Sequence, residues 1–89
     1  MVSGHAKVTN ASGLHARPAA EFVKAAKAFQ SCITIRKSED GQPVNAKSIA
    51  QILCEGIVIN TDVEISAQGP DEREAVNRLI ALIGSGFGE

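Results

Sequence analysis

Residues 6–29, AKVTNASGLHARPAAEFVKAAKAF, change period in the middle, and that change decides the fold. Ahead of the break, residues 4–9 alternate, with Ala6 and Val8 on one face and His5, Lys7 and Thr9 on the other. That spacing predicts a half-buried strand. Asn10 to Gly13 is turn chemistry. From Ala16 onward the apolar residues Ala19, Phe22, Val23, Ala26 and Phe29 recur at helical spacing, with Glu21, Lys24 and Lys27 off the stripe. A strand therefore turns directly into an alanine-rich amphipathic helix, and His15 stands at or beside its N-cap.

Working outward, Ile33 and Ile35 alternate with Thr34 and Arg36, predicting a second strand over residues 32–37. The Asp-Gly step in SEDGQ, residues 38–42, predicts a hairpin, with a short strand near Pro43 to Asn45 pairing back. Ile49, Ile52 and Leu53 share one side of a short helix that stops at Gly56. So short a helix cannot turn all three fully inward, so at least one is expected on the surface. Asn60 and Thr61 turn the chain, and Val63, Ile65 and Ala67 alternate as a further strand. Pro70, Asp71 and Glu72 open a last helix with the stripe Ala75, Val76, Leu79, Ile80 and Ile83, dissolved by Gly84, Gly86 and Gly88.

The order β-α-β-β-α-β-α, with alternating strands, predicts an α+β fold. It is a four-stranded antiparallel sheet with one wet face and three helices over the other. The 89 residues are expected to form a single domain, 1–89. A net charge of -1 gives no field that favours nucleic acid or an anionic membrane. With no Trp or Tyr there are no stacking platforms for single-stranded nucleic acid. No apolar run approaches a membrane span and the start of the chain has no signal-like apolar region, so no membrane insertion and a cytoplasmic setting are expected. Cys32 and Cys54 lack metal or redox spacing and are expected to be buried small residues in a reducing compartment. No metal ligand set and no cofactor is expected.

Chemistry concentrates at His15. The first amide N–H groups of a helix lack internal partners, and with the helix dipole they attract anions. A phosphoryl group on an imidazole nitrogen there gains those donors. Arg17 adds a permanent charge and a planar fork matched to phosphate oxygens. Pro18 fixes φ in the first turn, where its missing N–H costs no internal bond. From residue types alone, an idle surface histidine and a phosphate-handling one both remain open.

GLHARPA at residues 13–19, followed by VNAKSI at residues 44–49 and a closing helix, resembles the HPr family. These are the histidine-containing phosphocarriers of the sugar phosphotransferase system, and the likeness spans essentially the whole chain. The resemblance implies an open-faced β-sandwich. It implies that His15 takes a phosphoryl group on Nδ1 from phospho-Enzyme I, that Arg17 steadies it, and that the A component of a sugar-specific Enzyme II accepts it. Such a protein is a stoichiometric carrier, not an enzyme. Nothing in the sequence requires an oligomer, so a monomer with transient partners is expected. A regulatory or non-sugar relative, nitrogen-related or dihydroxyacetone-kinase-related, is the alternative; retention of both His15 and Arg17 speaks for the carrier.

Ser48 begins S-x-x-Q with Gln51, which by itself predicts a capping box. The resemblance adds a second role, phosphorylation of Ser48 by an ATP-dependent HPr kinase/phosphorylase, with a catabolite-control regulator as a further partner. The segment Ala50-Gln51-Ile52-Leu53-Cys54-Glu55 departs from the Met-rich stretch of kinase-regulated members. For docking, the resemblance points to Ala20, Ile49, Ala50 and Leu53 as apolar contacts, and to Lys24 and Lys27 as a basic rim.

Overall fold

The computed structural model describes residues 1–37 and 41–89. Its elements in chain order are β1 (Val2–Lys7), α1 (Ala16–Lys27), β2 (Cys32–Lys37), β3 (Val44–Asn45), α2 (Ile49–Glu55), β4 (Asp62–Gln68) and α3 (Glu72–Gly84), followed by a 3₁₀ turn (Gly86–Gly88). The strands form one antiparallel sheet in the order β1-β4-β2-β3. The expected α+β order and the open antiparallel sheet are thus observed. The Asp-Gly step of the expected hairpin includes Asp40, which lies outside the described residues. The pairing it was to produce is present, with Thr34 opposite Asn45 and Ile35 opposite Val44.

β4 is one of the two inner strands in that order, and its alternation sets the layers. Val63, Ile65 and Ala67 are buried, and Ile65 pairs with Gly4 on one side and Ile35 on the other. The opposite face carries Ser3, His5, Arg36, Glu64 and Ser66, where Arg36 Nε donates to Glu64 at 2.6 Å and the two serine hydroxyls meet at 2.8 Å. Against the apolar face lie Phe22, Leu79 and Ile83, each 0% exposed. Burial of a side chain this size contributes about 1.5–3 kcal/mol. Gly4 sits on the inner face of β1, where a Cβ would collide with Ile80, so α3 packs close to the strand.

β1 runs Val2–Lys7, shifted toward the chain start from the expected 4–9. The shift follows from Val8, which exchanges backbone hydrogen bonds with Asn60 and Thr61 in the turn before β4, and not with the β4 ladder itself. Asn60 makes this possible by adopting φ 70°. The cysteines correct the sequence expectation: Cys32 and Cys54 are both exposed. Strand parity explains Cys32, since Ile33 and Ile35 point inward. In α2 only Ile52 is buried, which leaves Cys54 on the solvent side.

The start of α3 carries the expected acids, but they serve neighbouring turns. Asp71 is the N-cap residue without a side-chain capping bond. Its carboxylate instead accepts from the Ser31 hydroxyl and from the Gln30 and Ser31 amides, tying the α1–β2 turn to the β4–α3 turn. These bonds, the Ser31 hydroxyl foremost, hold the Asp71 carboxyl below its ordinary range. A carboxyl depressed in the folded state stabilises the fold above its unfolded titration and loses that contribution as pH falls through the folded one. Asp71→Asn is therefore expected to lower the urea midpoint near about pH 7, and the gap to the parent is expected to narrow toward about pH 3 as pH falls toward the depressed folded-state titration. A gap that stays constant between the two pH values refutes this clamp.

Candidate functional site at the start of α1

The site is built by a turn that comes very close to another backbone segment. Gly13 N–H bonds to Asn10 O at 3.1 Å, and Leu14 N–H bonds to Ile57 O at 2.9 Å. Gly13 takes φ +63°, and a Cβ there would strike the Ile57 carbonyl oxygen and stand 2.8 Å from Val58 Cα. Leu14 is fully buried. His15 follows as the N-cap of α1 with an extended backbone, φ -131° and ψ 161°. The sequence reading placed it at or beside this position.

The imidazole makes no capping hydrogen bond to α1 and is half-buried, so its ring is not consumed in holding the helix. Pro18 carries no N–H, which leaves the amides of Ala16 and Arg17 as first-turn donors without an intrahelical acceptor. No acidic residue lies in that first turn. Arg17 is exposed, and its guanidinium reaches Glu21 one turn on at 3.4 Å. At that length and exposure the pair is worth little, about 0.3–0.5 kcal/mol, so the guanidinium reorients at small cost toward a stronger anion.

One feature of the site was not legible in the sequence. Ala16 takes φ +51°, a left-handed conformation that costs an L-residue about 1–2 kcal/mol. Nothing in Ala-Arg-Pro announces it, because alanine is a strong helix former.

The remaining candidates divide into those the fold gathers and those it does not. Ala20, Lys24, Lys27 and Ile49 line one shallow groove of about 370 Å³ together with Val23. Helical rise puts Ala20 roughly 8 Å along the axis from His15. Ile49 is 40% and Leu53 42% exposed while Ile52 is buried, as the stripe geometry requires. Ala50 is exposed on the same helix, but neither it nor Leu53 lines the groove. A larger depression beside the start of α3, lined by Val2, Pro70, Arg73 and Arg78 among others, holds none of the candidates.

Ser48 is the N-cap of α2, and its hydroxyl accepts Gln51 N–H at 3.3 Å. The capping box is only half formed. The Gln51 side chain does not return to Ser48; its Oε1 accepts Asn45 N–H at 2.9 Å and so ties α2 to β3. Lys47 Nζ donates to the Phe29 carbonyl at 2.7 Å just beyond the end of α1. Among the described residues no cluster of three or more His, Cys, Asp or Glu suited to a metal occurs, and no helix is long and apolar enough to cross a membrane.

Comparison with known proteins places this geometry. Residues 2–85 match the family profile described as the PTS HPr component phosphorylation site. The phosphocarrier protein HPr of Vibrio cholerae serotype O1 is 45% identical over 83 residues, covering 93% of this chain and 95% of that protein. The crystal structure of HPr-C-His from Thermoanaerobacter tengcongensis superposes with a TM-score of 0.93 at 45% identity, over 100% of this chain and 98% of that one. A crystal structure of an HPr dimer from the same organism is 47% identical with a TM-score of 0.77, covering 93% of each chain. Fold and sequence together define a phosphocarrier protein. The chain belongs to the HPr family, the phosphocarrier component of the phosphotransferase system.

The two left-handed positions make opposite predictions. Ala16→Gly removes the Cβ strain but adds chain entropy in the unfolded state, for an expected net gain of about 0.5–1 kcal/mol. Gly13→Ala drives a Cβ into rigid backbone at an unfavourable φ and is expected to cost about 2–4 kcal/mol. Urea unfolding of both variants checks the pair; a stabilised Gly13→Ala chain contradicts the described turn.

Proposed function

We propose that His15 is the phosphoryl acceptor of this carrier and that residues 1–89 act as one phosphocarrier domain. The observation that carries the reading is the uncapped imidazole at the start of α1, with the Arg17 fork two residues on. The Nδ1 lone pair attacks the phosphorus of a phosphohistidine on Enzyme I. The new N–P bond forms as the donor N–P bond breaks, and the donor ring keeps that electron pair. Passage to the A component of an Enzyme II repeats the step with His15 as the leaving group. Arg17 and the first-turn amides offset charge on the transferring phosphoryl oxygens, which is the main catalytic demand in such transfers.

The protein in this reading is a stoichiometric intermediate without turnover of its own, working in the cytoplasm. The groove along Ala20, Lys24, Lys27 and Ile49, flanked by Ala50 and Leu53, is the docking face, and each partner uses it in turn as a monomeric carrier presents it. Exposed apolar residues rimmed by lysines suit a partner with an apolar centre and an acidic edge.

Charging with phosphoenolpyruvate and a general Enzyme I, followed by intact-mass analysis, is expected to add one acid-labile phosphoryl group to the parent and none to His15→Ala. Arg17→Lys keeps the charge but loses the fork, and its transfer rate is expected to fall roughly 10- to 100-fold. A His15→Ala chain that charges normally refutes the assignment.

Ser48 is proposed as a regulatory phosphorylation site for an HPr kinase/phosphorylase, whose product a catabolite-control regulator reads. Its half-exposed hydroxyl uses its oxygen as the cap acceptor, and a phosphate oxygen takes over that role at the helix N-terminus. Incubation with ATP and the serine kinase is expected to give an acid-stable phosphoryl group on the parent that Ser48→Ala lacks. Phosphate appearing equally on both chains points away from Ser48.

A further inference from the structure

Two helices wall the groove, and a hydrogen bond from outside its lining ties the end of one to the start of the other. α1 supplies Ala20, Val23, Lys24 and Lys27, and α2 supplies Ile49. The tie is the bond from Lys47 Nζ to the Phe29 carbonyl, 2.7 Å long. It stands two residues past Lys27 on one wall and two residues before Ile49 on the other, so it spans both helices at one end of the groove.

The two ends of this bridge are anchored differently. On the α2 side the loop is a rigid frame. Ala46 is fully buried, and its N–H bonds to Ile33 O at 3.0 Å. Asn45, paired with Thr34 in the sheet, accepts the Lys47 amide on Oδ1 at 2.9 Å and the Ser48 amide on its backbone carbonyl at 3.1 Å. On the α1 side the helix stops without a glycine. Ala28 stays right-handed, and the amides of Ala28 and Phe29 turn back to the carbonyls of Ala25 and Ala26. The left-handed closure that commonly finishes a helix is therefore missing. A cation aimed at the carbonyl just past the last turn takes its place, and the helix dipole favours it there.

Burial separates Lys47 from the lysines of the rim. Lys24 and Lys27 are exposed and present their charge to solvent, whereas Lys47 is half-buried and engages its ammonium within the chain. We propose that Lys47 is a positioning residue for partner docking. Its ammonium on Phe29 O sets the spacing between the end of α1 and the start of α2, and so keeps Ile49 in register with Lys24 and Lys27. This rests on the reading of that groove as the docking face. The role lies in binding and not in the transfer step, because neither His15 nor Arg17 takes part in the bridge.

The test times single-turnover phosphoryl transfer from phospho-Enzyme I by rapid quench over a range of carrier concentrations, which separates half-saturation from the saturating rate. Lys47→Met is expected to raise the half-saturating concentration about three- to tenfold, with the saturating rate unchanged. The ratio to the parent is expected to be the same at low and high salt, because the lost bond runs to a carbonyl of the same chain. Lys24→Met removes a charge that meets the partner, and its ratio is expected to shrink with salt. Lys47→Arg keeps a cation that donates to the carbonyl, and it is expected to restore half-saturation to near the parent's. Amide spectra of Lys47→Met are expected to differ from the parent's at Ala28, Phe29 and Ile49 and to match it elsewhere, which separates loss of the bridge from loss of the fold. A Lys47→Met chain with the parent's half-saturation, or with a ratio that shrinks with salt as that of Lys24→Met does, overturns the Lys47 proposal and leaves the docking face standing. If neither Ile49→Ser nor Lys24→Met moves half-saturation, the docking face is overturned and the Lys47 proposal with it.

Discussion

The close approach of the Asn10–Leu14 turn to the backbone at Ile57 and Val58 is the constraint on which the site depends. It needs a glycine at position 13, with φ +63° and no Cβ, and it is locked by the Leu14 amide on the Ile57 carbonyl. β1 is an edge strand, so the chain must leave the sheet and cross to the helical layer. The turn makes that crossing in a few residues and fixes where α1 begins along its own axis. The buried stripe Ala19, Phe22, Val23 and Ala26 fixes the rotation of the helix about that axis. Together these two constraints place His15 in space from backbone contacts and core packing, which is more accurate support than a free loop gives.

On the proposed reading, what the site does follows from how little encloses it. A pocket that gripped a phosphoryl group strongly would slow its departure, because binding shared by ground and transition states lowers no barrier. Here the first-turn donors, the helix dipole and one guanidinium supply moderate stabilisation, and the guanidinium already shares its charge with Glu21. On the proposed reading, the exposed groove further along α1 is where a partner docks and brings the rest of the chemistry. The regulatory or non-sugar alternative gains nothing from this geometry.

Much of the fold was legible because its signals are periodic. The switch from alternation to helical spacing between Val8 and Ala19, the alternation of Val63, Ile65 and Ala67, and the Gly56 stop, which adopts φ 63°, all lie in local sequence. The position of His15 was legible for the same reason. The exposed cysteines were misread because cysteine is usually buried, and strand parity at Ile33 was the better guide for Cys32. Half of the capping box failed because Gln51 found the free amide of Asn45, a contact that depends on how α2 sits on β3. The Asp71 clamp, the Lys47 bond to Phe29 O and the bond from the Ser12 amide to Glu89 join residues 40, 18 and 77 positions apart, and no local pattern encodes such pairings.

The two N-caps of this face divide stability and chemistry between them. At α2, Ser48 spends its hydroxyl on the helix and gains the usual cap, worth about 1 kcal/mol. At α1, His15 gives no cap bond, and the next residue bears a left-handed strain of about 1–2 kcal/mol. The start of α1 is thus poorer than that of α2 by about 2–3 kcal/mol. Burial of Phe22 and Val23 offsets that deficit, at about 1.5–3 kcal/mol each. The helix therefore stands on its buried stripe, and its first turn is relieved of holding the helix together. On the reading proposed for His15, an imidazole released from capping keeps a ring nitrogen for a phosphorus atom, whereas the Ser48 oxygen is engaged by its own helix.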